Sequence, residues 1–337
     1  MKRKFVNLLI IVFALCSAQV LTAQTRARNT TAAPAPSGLL TSLPDSDAVA
    51  QVKLRQLLNE SLPRIFANNS ARLAEINTSI ESFKTRTGLD PRMFETVALG
   101  ARFSYPAEGV TKVQTVALAN GSFSPAAMVA AGRIATSGNY REEKYQGKTI
   151  YIFKLDQDVR LLGFFDFRIK ELAATPLNAN VLALGDVAAV RAVIDAGRAP
   201  KRANAELIAL ASRDPNAVIG FGANMSEQLI KNLDVNPAIA ADLTTLRQVY
   251  GSVGTTQTDL QLFLAARAMN ADAARSLGDT LEGLKQLGSL FVGRLSGAKG
   301  VLAKSALANL QIVTAANELQ IRTAVPQADV GPLMGGK

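Results

Sequence analysis

The sequence predicts an α+β fold of two tandem repeats, each an antiparallel sheet with helices mainly on one face, ferredoxin-like in character. Apolar residues make up 48% of the 337 residues and charged residues 19%, which is typical of a globular chain. Short β-rich runs alternate with segments whose apolar residues recur at helical spacing. Two blocks of the first half, beginning at Asp45 and Val116, are similar to blocks that begin at Asp214 and Leu262. These observations predict a duplicated sheet-and-helix unit.

The N-terminus predicts a secretory signal peptide over residues 1–23. Three basic residues at positions 2–4 precede a short apolar run over 5–16, and small residues follow. We therefore expect an exported protein, periplasmic or extracellular, whose mature chain begins near Gln24. Lipidation at Cys16 and an uncleaved N-terminal anchor are the two alternatives.

The rest of the chain divides into a tether, two repeats and a tail. Residues 24–38 are rich in Ala, Pro, Thr and Arg without periodicity, which predicts a disordered tether. Residues 39–200 form the predicted first repeat and residues 201–326 the second. The glycine-containing segment 327–337 is predicted to be a flexible tail.

In the first repeat, each element is predicted from its local pattern. Runs rich in β-branched or alternating apolar residues predict strands at 49–54, 97–103, 113–119, 140–145, 148–154, 161–167 and 181–184. Helical spacing, or an N-cap before an Ala-rich run, predicts helices at 57–87 (broken near Asn68), 125–135 and 187–196. A Gln-Gly pair between the strands at 140–145 and 148–154 predicts a tight hairpin.

The second repeat is predicted by the same signals. Its expected strands are 218–223, 260–266 and 318–325. Its expected helices are 226–249, 271–290 and 301–314.

The chain contains no histidine, and this absence excludes several chemistries. Ser-His-Asp and Cys-His hydrolysis need an imidazole to shuttle the proton, and zinc and copper sites are built mainly from His and Cys. The single cysteine, Cys16, lies in the predicted signal. We therefore expect a non-enzyme with no metal site and no cofactor. Trp is absent and aromatic residues make up 6%, so nucleic acid is not an expected partner.

The net charge of the chain indicates which other classes of partner it could attract. The formal charge of +10 falls to +7 when the three basic residues of the signal are removed. Basic residues are scattered along the chain, which a solvated surface explains; weak attraction to anionic lipid or to a cell-wall polymer is the functional alternative. No later segment is apolar enough to predict a transmembrane span after signal cleavage.

Two glycine motifs are similar to nucleotide-binding loops but are incomplete. Residues 147–149 (Gly-Lys-Thr) match the end of a phosphate-binding loop, yet Glu142 stands where its first glycine belongs, and a hairpin turn explains them. Residues 220–225 (Gly-Phe-Gly-Ala-Asn-Met) follow a predicted strand as a dinucleotide fingerprint does. Because Met225 replaces the third glycine, we interpret this segment as a small-residue strand end packed beneath a helix.

Ser296 and Lys299 are the weak candidates for a catalytic pair. They match the Ser-x-x-Lys pattern of serine acyltransferases that act on cell walls, a chemistry that needs no histidine. The companion Ser-Asp-Asn and Lys-Thr-Gly elements are missing, and Gly293, Gly297 and Gly300 are typical of an interhelical loop.

Acidic and aromatic clusters have simple structural interpretations. The Asp-x-Asp pairs at 45–47 and 156–158 lack the continuing ligand loop of a calcium site, so we interpret them as turn residues. Three tyrosines, Tyr140, Tyr145 and Tyr151, either line a groove or edge the core.

Two segments carry a resemblance to known proteins. Residues 43–49 (Leu-Pro-Asp-Ser-Asp-Ala-Val) and 145–151 (Tyr-Gln-Gly-Lys-Thr-Ile-Tyr), together with the signal and the tether, resemble exported bacterial envelope proteins of uncharacterised families. The resemblance covers most of residues 40–325 and depends on short motifs. It implies a bacterial envelope protein built of tandem sheet-and-helix repeats, and it carries over no functional residue.

Three functions therefore stay open. The sequence favours a non-catalytic envelope protein that binds by a surface or a groove. The first alternative is a carrier of a lipid or other amphiphile, which predicts a cavity on the order of several hundred Å3 between sheet and helices. The second is a histidine-free serine hydrolase of the cell wall that uses Ser296 and Lys299.

Overall fold

Antiparallel hairpins dominate the computed structural model, which describes residues 38–87, 90–122, 124–161, 165–198, 202–232 and 242–330. Twelve strands within these residues are β1 (Ala48–Val52), β2 (Phe94–Ala107), β3 (Val110–Gly121), β4 (Tyr140–Tyr145), β5 (Lys148–Leu161), β6 (Phe165–Pro176), β7 (Val181–Gly185), β8 (Ile219–Asn224), β9 (Leu246–Thr255), β10 (Asp259–Ala268), β11 (Gln311–Ala315) and β12 (Glu318–Pro326). They form one sheet in the order β11-β12-β10-β9-β8-β1-β2-β3-β7-β6-β5-β4. The predicted α+β class, with a large antiparallel sheet, is confirmed.

Helices connect the strands. They are α1 (Leu54–Gln56), continued by a π-helical turn (Leu57–Ser61) and α2 (Leu62–Ile65), α3 (Ser70–Thr87), α4 (Pro125–Ala135), α5 (Val187–Ala196), α6 (Ala205–Ala211), α7 (Glu227–Lys231), α8 (Ala271–Val292), α9 (Gly297–Ala308) and α10 (Gln327–Val330). Within the described ranges, no helix combines the length and the apolarity needed to cross a bilayer.

Both halves of the chain contribute to this single sheet, in contrast to the separate sheets that the sequence predicts. The pairing of β1 with β8 joins them, with Val49 opposite Gly222 and Val52 opposite Ile219. Each half begins with a three-stranded meander, β1-β2-β3 or β8-β9-β10. In each half a later strand then returns to pair with the third strand, β7 on β3 and β12 on β10.

Helices cover both faces of the sheet, whereas the sequence predicts helices mainly on one. Ile152 packs in the cluster of α5 and α6, and its neighbour Phe153 packs in the cluster of α4. Similarly, Ala265 belongs to the cluster of α5 and α6, and its neighbour Ala266 packs with α8. Because successive residues of a strand point to opposite faces, α5 and α6 cover one face, and α4 and α8 the other.

The ferredoxin-like character is not observed. A ferredoxin-like unit contains a split βαβ element, whose two strands are parallel. Among the described strands every pairing is antiparallel. The tandem repeat itself stays a prediction.

Three predicted elements differ from the structure. The predicted helix 226–249 is α7 followed, after the undescribed residues 233–241, by the strand β9. The predicted helix 301–314 ends at Ala308, and β11 follows. The predicted strand 161–167 spans the end of β5 and the start of β6. β9 is central and largely buried, so its sequence lacks the period of two that marks a half-exposed strand.

Two predicted bounds need correction. Residues 327–330 of the predicted tail form α10, with Gln327 buried, and residues 156–158 lie in β5 and not in a turn. The signal peptide, the tether up to residue 37, the rest of the predicted tail and the side chains at 156–158 lie outside the described residues.

Candidate functional site

A cavity of about 600 Å3 lies at one end of the sheet in the first half. Its floor is formed where three neighbouring strands begin or end, because Thr96 of β2 lies opposite Asn120 of β3, which lies opposite Val181 of β7. The C-terminal end of α5, the β4–β5 hairpin and the β6–β7 turn form its walls. We call this space the basic cavity.

Three cations and no carboxylate are among the described residues that line the basic cavity. Lys148 Nζ donates to the carbonyl oxygen of Leu177 at 2.8 Å. Arg198 Nη1 donates to Gln146 Oε1 at 2.8 Å, and Arg202 Nε contacts the carbonyl oxygen of Ala196 at 3.4 Å. These partners carry no formal charge. The C-terminal end of α5 supplies about half a negative charge, so most of the positive charge is left uncompensated.

The apolar part of the lining is buried, whereas two of the cations are exposed. Leu39, Val193 and Ile194 are buried, but Arg198 and Arg202 are exposed. Leu177 and Val181 extend the apolar wall. The basic cavity is therefore amphipathic, with an apolar interior and a positively charged rim.

Local sequence explains how Lys148 reaches the cavity. Gln146 and Gly147 both have positive φ (49° and 77°), which is the two-residue turn that a tight hairpin requires. Arg198 bonds to the turn, and the Tyr145 hydroxyl donates to Asp195 Oδ2 at 2.8 Å. The hairpin is thereby fixed to the end of α5. Residues 147–149 thus form a hairpin turn and strand start, and Lys148 faces the cavity.

A second, smaller cavity of about 210 Å3 lies beside α5 and differs in charge. Its lining includes Asp45, Arg102 and Asp195, and the carboxylate of Asp45 lies 3.5 Å from Arg102 Nη1. Asp47 Oδ2 accepts the backbone N–H of Phe103 at 2.8 Å. The Asp-x-Asp pair at 45–47 therefore holds loop and strand together, and the described residues contain no cluster of metal-ligating side chains.

Ser296 and Lys299 lie apart from both cavities. Ser296 precedes α9, and its side chain makes no capping hydrogen bond. Both side chains are exposed. A Ser-x-x-Lys nucleophile needs its lysine desolvated and in contact with the serine, and neither condition is seen for this pair. The catalytic assignment stays a prediction without structural support.

Residues 220–225 are explained by close packing of a helix. A Cβ atom on Gly220 would lie 2.1 Å from the carbonyl oxygen of Ala211, and one on Gly222 would lie 3.0 Å from that of Leu207. Only glycine lets α6 approach β8 this closely. The segment is a strand beneath a helix, and the covering helix α6 precedes it in the chain.

The three tyrosines do not line a common groove. Tyr145 packs against the cluster beneath α5, whereas Tyr140 and Tyr151 pack against the cluster of α4 on the opposite face. Tyr140 lies 6.0 Å from Phe153 between ring centroids. The tyrosines therefore edge two different parts of the core.

A network of ionic and aromatic residues on β9, β10, β12 and the connection between α6 and β8 was not predicted from the sequence. Arg213 Nη1 donates to the buried hydroxyl of Tyr250 and lies 3.1 Å from Glu318 Oε1. Arg267 Nε lies 3.3 Å from the same carboxylate. Burial of Tyr250 and its bond to Glu318 raise the pKa of the phenol.

The charge of Glu318 is set by the same contacts. Burial favours the protonated acid, but hydrogen bonds from Tyr250 and Gln320 and the charges of Arg213 and Arg267 outweigh it, so the pKa of Glu318 is lowered. Because every charge in this network has a partner of opposite charge, we interpret it as structural.

Sequence reasoning missed Arg198 and Arg202 as site residues. The available signal was the segment 196–205, which follows a predicted helix and contains three basic residues and no acidic one. Basic residues directly after a helix end lie near its carbonyl groups and near each other.

Comparisons with known proteins identify no family. No protein-family model matches the chain, and no curated protein is similar in sequence. Among solved structures, crystal forms III and IV of a protein titled TP0453 are 11% identical, with TM-scores of 0.45 and 0.44. Each alignment covers 90% of this chain, and 98% or 97% of the other.

Proposed function

We propose that this chain is a non-catalytic binding protein of the bacterial cell envelope, and that its ligand is an anionic amphiphile held in the basic cavity. The observation that carries this proposal is the described part of the cavity lining, which combines three cations and several apolar side chains with no carboxylate. A cavity of about 600 Å3 is within the usual size range of small-molecule sites.

The hydrogen-bonding capacity of the cations suits an acidic headgroup. An ammonium group has three donors, and Lys148 uses one of them on Leu177. Arg198 and Arg202 are exposed at the rim, where they can turn to a phosphate or carboxylate and form charge-assisted bonds. The alkyl part of the ligand would then lie against Val193 and Ile194.

The lining argues against a nucleotide. None of the described lining residues is aromatic, and nucleobases are usually held by stacking on aromatic side chains.

Titration with a lysophosphatidylglycerol tests the proposal, with lysophosphatidylcholine of the same chain length as the comparison, because its zwitterionic headgroup has no net charge. The double variant Lys148→Gln/Arg202→Gln should bind the anionic lipid at least about tenfold more weakly, because it removes two charge-assisted contacts. Binding of lysophosphatidylcholine should change little. Isothermal titration calorimetry, or displacement of a bound fluorescent lipid, measures both affinities.

Arg275→Gln is the matched control, because Arg275 is an exposed arginine of α8 that pairs with Asp272 away from the cavity. It should leave both affinities unchanged. Equal affinity of the native protein for the two lipids, or an unchanged affinity of the double variant, would show that the cavity is not an anionic amphiphile site.

Export is part of the proposal and has its own test. The charge, length and polarity order of residues 1–23 predict cleavage, so protein recovered from the envelope should begin at or near Gln24. The intact mass of that protein shows at which residue it begins. A chain that keeps Met1 would favour a retained anchor, and one that begins at a lipidated Cys16 would place the protein on a membrane.

We also infer that the two halves descend from one unit, as the sequence repeat suggests. In support, the three-stranded meander, the returning strand and the placement of α4 and α8 on one face recur in both halves. Val116 and Leu262 lie on corresponding third strands, but Val116 faces α5 and Leu262 does not share that face. The two halves therefore align with a shift of an odd number of residues from the gapless match on this strand.

A further inference from the structure

Exposed apolar side chains are concentrated at the end of the α8–α9 hairpin. Of the twelve large apolar side chains that are exposed in the described residues, half lie in a segment of 18 residues. We call them the apolar tip: Leu284, Leu287, Leu290, Phe291, Leu295 and Val301. Leu290 is 69% exposed and Phe291 60% exposed. Exposed apolar side chains concentrated in this way mark an interaction surface.

Helical geometry places the α8 residues of the apolar tip on one side of that helix. Leu284, Leu287 and Phe291 are three and four residues apart, so they form one stripe along the helix. Leu277, which is buried, lies seven residues before Leu284 and therefore on the same side of the helix. The apolar face that α8 buries near its start thus continues, exposed, for about 10 Å from Leu284 to Phe291.

The hairpin presents this face on a firm support. A Cβ atom on Gly278 would lie 2.6 Å from Thr314 Oγ1, so α8 packs closely on β11. Gly288 faces Leu307 of α9, and Val292 packs in the cluster of Ala306 and Leu307. The exposure of the tip is therefore a property of the packed hairpin.

Charge around the apolar tip identifies its partner. No acidic residue occurs between Glu282 and Glu318, whereas this segment contains Lys285, Arg294, Lys299 and Lys304. Lys285 pairs with Glu282, and the guanidinium of Arg294 lies 5.9 Å from the ring centroid of Phe291. Arg294, Lys299 and Lys304 are exposed beside the apolar side chains.

We infer that the apolar tip docks onto an anionic lipid surface. Apolar side chains flanked by cations enter the headgroup region of a bilayer, where both the apolar burial and the attraction to anionic lipid contribute. A second copy of the chain is a poorer partner, because it would bring the same cations together. The proposal is independent of the ligand in the basic cavity.

Flotation with extruded vesicles tests the proposal. One set of vesicles contains phosphatidylcholine alone, and the other contains about 30% phosphatidylglycerol, enough to give a negative surface potential. The native protein should float with the anionic vesicles. The variant Leu290→Ser/Phe291→Ser should bind them at least about tenfold more weakly, and Arg294→Gln/Lys299→Gln should lose the preference for anionic over neutral vesicles.

Two controls separate this result from other causes. Ile134 is 80% exposed on α4, so Ile134→Ser removes an exposed apolar side chain elsewhere and should leave vesicle binding unchanged. Arg275→Gln removes an exposed arginine from the other end of α8, where it pairs with Asp272, and should also leave vesicle binding unchanged. Because all these side chains are exposed, circular dichroism should show native folding.

Three outcomes would overturn the proposal. They are unchanged vesicle binding by Leu290→Ser/Phe291→Ser, equal binding of the native protein to neutral and anionic vesicles, and a dimer in solution that this variant dissociates while no vesicles are bound. The last outcome would assign the apolar tip to self-association, and sedimentation velocity measures it.

Discussion

Replacing Gly220 by alanine should lower the free energy of unfolding by about 2–4 kcal/mol. The added Cβ atom would lie 2.1 Å from the carbonyl oxygen of Ala211, which is backbone and cannot rotate away. Either α6 must move off β8 or the strand must shift. Both responses disturb the cluster in which Leu207 and Leu210 of α6 pack with Tyr250. Urea unfolding at neutral pH measures the loss.

Gly254→Ala is the matched control for this prediction. Gly254 lies in the neighbouring strand β9 and is also buried, but a Cβ atom there would find its nearest neighbour at 3.8 Å. Its stability should stay within about 1 kcal/mol of the native protein, since the new methyl fits and the unfolded chain loses some freedom. Equal stability losses in the two variants would mean that the close approach of α6 is not what requires Gly220.

Local signals are the part of the fold that the sequence predicts well. The helix at 125–135 begins after the N-cap Ser124, whose side chain accepts the N–H of Ala127 as capping requires. The hairpin at 140–154 follows from its Gln-Gly turn, and α5 occupies its predicted range. Each of these signals acts over a few residues, so no knowledge of distant partners is needed.

Elements whose secondary structure or pairing depends on distant strands were not predictable from local signals. β9 becomes a strand because β8 and β10 pair with it on both sides, and Tyr250 at its centre is completely buried. The union of the halves depends on the pairing of β1 with β8, which are separated by more than 160 residues. The apolar and small residues of β9 fit a buried helix as well as a central strand.

The basic cavity illustrates the same limit. In the sequence, Lys148 is only part of an incomplete glycine motif. The cavity forms because the fold brings Lys148, Arg198, Arg202 and the apolar end of α5 to the same place. The absence of histidine favours binding over catalysis, and this function stays a proposal. The location of the proposed binding site required the structure.

Removing the charge of Glu318 should destabilise the fold by about 2 kcal/mol at neutral pH. The side chain is 14% exposed and lies between Arg213 and Arg267, so Glu318→Gln leaves two guanidinium groups with less compensation in a partly buried network. Glu227→Gln is the control, because Glu227 pairs with Lys231 on the surface, where both side chains are more than 60% exposed. Its effect should stay within about 0.5 kcal/mol.

Lowering the pH should abolish this difference, and the direction follows from the lowered pKa of Glu318. A carboxyl group whose pKa is lower in the folded than in the unfolded state stabilises the fold above its unfolded pKa, about 4.3 for glutamate. That contribution is lost as the pH falls through the lowered pKa of the folded state. Urea unfolding should therefore show the full difference between native protein and Glu318→Gln above about pH 5, and a shrinking one below about pH 4. A difference that persists unchanged at low pH would mean that the variant disturbs packing and that the charge of Glu318 contributes nothing to stability.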